Sequence, residues 1–113
     1  MHKVFLVTFM AIVTISCPSV TKAQASHPAE KDAASVHAGE EIFTQRCFQC
    51  HSVAENQVRF GPSLYHEMKA PHPKKTAPQI RTILKEGKGK MPSFKDILTQ
   101  EDTDNILAYL HSL

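Results

Sequence analysis

Two thiols and an imidazole fall within five consecutive residues, Cys47-Phe48-Gln49-Cys50-His51, and no other stretch narrows the range of possible structures as far. The spacing is the attachment signature of a c-type haem. Two cysteines so placed at the end of a helix reach the two vinyl groups of one porphyrin, and the next residue then holds its imidazole under the iron. Two other chemistries share parts of the pattern. A redox-active disulfide also uses Cys-X-X-Cys, but in a strand-helix-strand setting that is absent from this sequence. A zinc site needs a fourth ligand beyond Cys47, Cys50 and His51, and no second Cys or His pair stands at a familiar spacing.

The N-terminus agrees with a group attached after export. His2 and Lys3 precede an almost unbroken apolar run from Val4 to Ile15, and Ala23-Gln24-Ala25 is a small-residue cleavage signal. Residues 1–25 therefore read as a secretory signal peptide, delivering the chain to the periplasm or the exterior. The run is shorter than the roughly 18 apolar residues of a spanning helix, so no membrane span is expected after cleavage. A lipid anchor through Cys17 is the alternative, although Thr14 is an awkward residue at the head of such a signal. Cleavage after Ala25 leaves 88 of the 113 residues, and Cys47 and Cys50 as the remaining cysteines. A domain this small often leans on a disulfide, a metal or a cofactor.

The remainder divides into a flexible spacer, 26–36, and one domain, 37–113. Helical character is expected from Val36 or His37, with Ser35 as N-cap and Ile42 and Phe43 on the buried face. Gly39 costs that helix stability, which implies close approach by another backbone. Residues 52–75 carry Gly61, Pro62, Pro71 and Pro73 and read as loop, with one short helical turn near Ser63 to Met68. Thr76 caps the next helix, Ile80, Ile83 and Leu84 form its stripe, and Gly87 ends it. In the last helix Thr99 and Asp102 form a capping box, and Ile106, Leu107, Leu110 and Leu113 recur on one side. The fold class is all-α: three to four short helices joined by long loops, an uneconomical core unless something large fills its centre.

An iron held by His51 has a second axial position to fill. Met91, in Gly87-Lys88-Gly89-Lys90-Met91-Pro92-Ser93-Phe94, lies on a loop between two helices that the following proline stiffens. A thioether opposite an imidazole favours ferrous iron and closes the site to most external ligands. Met68, His66 and His72 are the reserve ligands.

The pentad, the Gly61-Pro62-Ser63-Leu64 turn, the Lys90-Met91-Pro92 loop and the Leu107-Ala108-Tyr109-Leu110 helix, in that order, resemble the small bacterial monohaem members of the class I cytochrome c family. The resemblance spans about residues 37–113. It implies a cytochrome c-like fold around one haem c, covalently held through Cys47 and Cys50, with His51 and Met91 on the iron. It implies that Pro62 offers its carbonyl to the ring N–H of His51, and that Gly39 and Phe43 mark where the first helix crosses the last, against Ile106 and Tyr109. His66 and the proline- and lysine-rich segment 70–75 depart from the family pattern.

The function implied is electron carriage between ferrous and ferric iron, not catalysis. The alternatives are a haem subunit of a periplasmic dehydrogenase complex, or a gas-binding or peroxide-reducing haem protein. Without Lys3 and Lys22, eleven basic residues balance eleven acidic ones, so the composition does not indicate strong overall attraction to nucleic acid. The distribution is uneven: eight basic residues lie between Glu67 and Lys95, and four acidic residues with no basic ones follow. The lysines from Lys69 to Lys95 flank the methionine loop, so a monomer whose redox partners dock an acidic surface against them is expected.

Overall fold

The computed structural model describes residues 28–113; the expected signal peptide, its cleavage site and Cys17 lie outside them. Three helices follow in order: α1, Pro28–Arg46; α2, Ala77–Glu86; α3, Gln100–Ser112. No strand is present among the described residues, where one isolated bridge pairs Lys88 with Met91. None of these helices is long and apolar enough to cross a membrane.

The first helix begins earlier than its apolar pattern indicates. Pro28 stands at its first position, where a missing N–H costs nothing, and Ala29, Ala33 and Ala34 favour the helix intrinsically. Residues 28–34 are all exposed, so no buried stripe announces this part of the helix. The expected spacer is therefore helical from Pro28 onward, and Ser35 lies inside α1 instead of capping it. The segment from Ser63 to Met68 turns without forming a helix.

Both later helices start as their caps dictate. Thr99 Oγ1 accepts from the Asp102 backbone N–H at 3.0 Å, and Asp102 returns the bond by accepting from the Thr99 N–H at 2.9 Å. At α2 the Gln79 side chain accepts from the Thr76 N–H at 2.8 Å. Gly87, at φ 78°, closes α2 with its N–H on the Ile83 carbonyl at 2.8 Å.

The crossing of α1 and α3 forms the main packed contact. Gly39 and Phe43 are its buried residues from α1, against Ile106, Leu107, Tyr109 and Leu110 from α3. A Cβ on Gly39 would overlap the Asn105 carbonyl and stand 2.8 Å from Tyr109 Cβ, so only glycine permits this approach. Phe43 and Tyr109 meet in a tilted pair with centroids 5.5 Å apart. The second helix touches α3 more lightly and makes no direct contact with α1, which leaves a gap between α1 and α2.

Two outcomes follow for stability. Gly39→Ala is expected to destabilise the protein by about 2 kcal/mol, since overpacking at the crossing outweighs the gain in helix propensity; chemical denaturation measures this. Hydrogen bonds from Thr99 hold the Asp102 carboxyl below its ordinary range. The cap's contribution is therefore complete above the ordinary carboxylate range and is lost as pH falls through the lower folded value. Unfolding measured against pH should show that acid-side loss in the native protein and its absence in Asp102→Asn.

Candidate haem site

The gap between α1 and α2 is an apolar cleft of about 320 Å³. Phe43 closes it on the α1 side, Ile80, Ile83 and Leu84 on the α2 side, and Ile106 and Leu110 at the back from α3. Cys47, His51 and Pro62 line one part of it and Met91 another. A second opening of about 250 Å³ adjoins it, sharing Cys47, His51, Pro62, Lys88 and Met91 and adding Cys50 and Phe60. The structure thus brings Cys47, Cys50, His51, Pro62 and Met91 to this cleft and its adjoining opening.

The pentad is held by the end of α1. Cys47 N–H bonds to the Phe43 carbonyl at 2.8 Å, and Cys50 and His51 both donate back to the Cys47 carbonyl, at 3.0 and 2.8 Å. The turn buries Cys47 and exposes Cys50, and neither thiol is in a disulfide. Burial pushes the Cys47 thiol up to about 11, and the neighbouring Cys50 adds to the rise. A redox-active disulfide needs the opposite, a thiol lowered toward neutrality. The zinc alternative fares no better, because no metal-binding group of three or more His, Cys, Asp or Glu side chains forms among the described residues.

Backbone geometry fixes the imidazole. Its Nδ1–H donates to the Pro62 carbonyl at 2.8 Å, which leaves Nε2 free to bind a metal. Gly61 N–H bonds to the Cys50 carbonyl at 2.7 Å, laying the Gly61-Pro62 turn against the pentad. A Cβ at Gly61 would come within 2.6 Å of His51 Cε1, so this glycine is required by the ring. Ser52, buried and satisfied by Gln57 at 2.7 Å, and Ser63, bonded to the Ala54 carbonyl at 2.8 Å, lace the loop that carries the turn.

Met91 is presented by a tight reversal. Lys88 and Met91 exchange both backbone bonds at 3.0 Å across Gly89 and Lys90, with Gly89 at φ 60°. Phe94 N–H then caps the Leu84 carbonyl at 2.8 Å and Ser93 Oγ the Lys85 carbonyl at 2.5 Å, clamping the loop to the end of α2. Among the reserve ligands, Met68 is buried in the core, His66 stacks on Tyr65 with centroids 3.7 Å apart, and His72 is exposed. None of the three lines the cleft.

The basic residues divide more finely than the sequence suggests. Lys88, Lys90 and Arg46 surround the opening beside Cys50. Arg81 pairs with Asp104, Lys69 lies 3.3 Å from His66, and Lys75 pairs with Glu67 inside the cleft. Sequence reasoning missed the apolar side of that opening, where Phe60 is 71% exposed, and the exposure of Val58 two residues before it, at 74%. Arg59 lies over the Phe48 ring at 4.0 Å and Lys90 over the Phe60 ring at 5.2 Å.

The donor set fits an iron porphyrin: two unpaired thiols, an imidazole with its metal-binding nitrogen free, a thioether in the same cleft, and apolar walls between them. Comparison with known proteins agrees. The family model described as "Cytochrome C oxidase, cbb3-type, subunit III" matches residues 34–110. The chain is 28% identical to a cytochrome c6-like protein of Nostoc sp., over 96% of this chain and 87% of that one. It is 31% identical to cytochrome c6 of Gracilaria tenuistipitata var. liui, over 69% and 72%, and 32% identical to cytochrome c6 of Rippkaea orientalis, over 65% and 66%. No solved structure gives a significant match.

Gly61→Ala displaces the His51 ring and is expected to cost roughly 1–3 kcal/mol by overpacking. Thermal unfolding of the haem-loaded protein, with the visible spectrum as a readout, checks it.

Proposed function

Because the chain belongs to the class I c-type cytochrome family and is a haem c electron carrier, we propose that it works in the periplasm with one covalent haem ligated by His51 and Met91. The observation that carries this reading is the meeting of Cys47, His51 and Met91 in one apolar cleft. Haem bound there supplies a single one-electron couple between ferrous and ferric iron.

The remaining roles belong to the chain. Cys47 and Cys50 would hold the haem, each thiol S–H adding across one vinyl double bond so that one C–S and one C–H bond form without oxidant or reductant. The Pro62 carbonyl retains the Nδ1 proton of His51, so Nε2 faces the metal unprotonated. Met91, in the same cleft as His51, would supply the thioether ligand, and its clamped loop would resist displacement by external ligands. The leader-like residues 1–25 support attachment after export.

A partner docks at the opening beside Cys50. Exposed Phe60 offers apolar contact, while Arg46, Lys88 and Lys90 favour an acidic surface. A second reading, a haem subunit within an oxidoreductase complex, draws support from the oxidase-subunit description of the matching family model; co-purification with a larger partner would favour it.

The ferrous native protein is expected to bind carbon monoxide slowly or not at all, and Met91→Ala to bind it rapidly. Rapid binding by both would overturn the ligation. For docking, electron transfer to the physiological acceptor is expected to slow with added salt, and Lys88→Glu with Lys90→Glu to lower the low-salt rate by about tenfold or more. Rates indifferent to salt and to both substitutions would remove the electrostatic part of the reading.

A further inference from the structure

Between the end of α2, the segment 94–98 and the start of α3 lies a further cavity, of about 270 Å³, that takes no part in the site described above. Its floor is apolar, made by Leu84, Phe94 and Leu98. Its polar wall carries three cations, Arg81, Lys85 and Lys95, and among the described residues no acidic side chain lines it. Charges of one sign around an apolar floor raise the local concentration of the opposite sign.

The polar groups of this wall differ in how far they are already committed. Arg81 is fixed by Asp104, which also accepts from the Gln100 amide at 3.3 Å, while Arg81 Nη1 is buried without a hydrogen-bond partner. The start of α3 offers nothing further: Thr99 Oγ1 takes the Asp102 N–H in the cap, and the Thr103 hydroxyl donates to the Thr99 carbonyl at 3.0 Å. Lys85 and Lys95 remain, both exposed and neither in an ion pair among the described residues. Two unpaired ammonium groups, beside a fixed guanidinium with a buried nitrogen that lacks an acceptor, favour an anion. The floor favours an apolar body. An inorganic ion would leave the floor uncovered, and a neutral ring would leave the cations unpaired.

We propose that this cavity binds a small carboxylate with an apolar body, and that its occupant steadies the loop carrying Met91. Two walls are shared with the haem site: Leu84 also lines the apolar cleft, and Phe94 also lines the opening beside Cys50. The Phe94 N–H bonds to the Leu84 carbonyl at 2.8 Å, and Ser93 Oγ to the Lys85 carbonyl at 2.5 Å. These bonds are the clamp on the Met91 loop, and they form the partition between cavity and cleft. Opening the clamp moves Phe94 off Leu84 and dismantles the floor. A ligand that needs the intact floor therefore favours the clamped state by its differential affinity. Binding here is independent of the haem reading, whereas the coupling to Met91 rests on it.

The probe is benzoate, titrated calorimetrically into the haem-loaded protein at fixed ionic strength, with inorganic phosphate and benzamide as charge-only and body-only controls. Benzoate is expected to bind one site with a Kd of about 1 mM or tighter, and each control about tenfold more weakly or worse. Amide shifts in the ferrous protein should centre on Lys85, Phe94 and Lys95. Lys85→Gln with Lys95→Gln should weaken benzoate by about tenfold, and Lys85→Arg with Lys95→Arg should retain it. The site is overturned by any of three results: no saturable binding, a control that binds as well as benzoate, or shifts centred on the opening beside Cys50. Affinity indifferent to the double Gln variant overturns it too. For the coupling, entry of imidazole at the ferric iron should slow by about threefold or more in benzoate-saturated native protein, and an unchanged rate overturns it. Carbon monoxide binding by the ferrous native protein is read in the same samples. Rapid binding removes the Met91 ligand and the coupling with it, whereas slow binding with unchanged imidazole entry removes the coupling alone.

Discussion

The structure depends on an apolar cleft that the chain cannot close with its own side chains. Helices of 19, 10 and 13 residues supply one good crossing, α1 on α3, and leave α2 standing apart from α1. The walls of the gap are phenylalanine, leucine and isoleucine, which are unfavourable against water and favourable against a flat apolar group. Whatever fills the cleft contributes to folding as well as to function, because it binds the folded chain and has no comparable site on the unfolded one. This is how a domain of so few residues supports loops as long as those between α1 and α2.

Around that cleft the two sides are built differently. His51 is placed by backbone alone: the helix-end turn sets its position, the Pro62 carbonyl sets its tautomer, and Gly61 leaves space for its ring. Met91 is placed by a hairpin-like reversal tied to the last carbonyls of α2. The two supports share no hydrogen bond, so each side chain is positioned independently of the other. The same frame carries the opening beside Cys50, where Lys90 lies over the exposed Phe60 ring.

Where local chemistry and burial agree, the sequence was informative. The Thr99–Asp102 box and the Ile106, Leu107, Leu110 stripe mark α3 because the cap and the buried face lie in the same dozen residues. Gly39 was legible for a similar reason, since a mid-helix glycine is costly without a neighbour that demands it. The start of α1 was not, because its first seven residues are exposed and leave no period to read. Glu67 and Lys75 were hidden as well: a charged residue in a polar loop ordinarily faces solvent, and only the folded path of residues 67–75 turns this carboxylate inward. Likewise, Val58 and Phe60 give no sign in the sequence that they stay exposed.

The central claim is that Cys47 and Cys50 bind one iron porphyrin within this cleft. Intact mass spectrometry and a pyridine haemochrome spectrum on protein exported by a host able to attach haem test it together. The account predicts a polypeptide heavier by one haem, with a spectrum of two saturated side-chain links that acid-acetone extraction does not remove. A polypeptide weighing no more than its amino acids, or a haem that extraction frees, would contradict it.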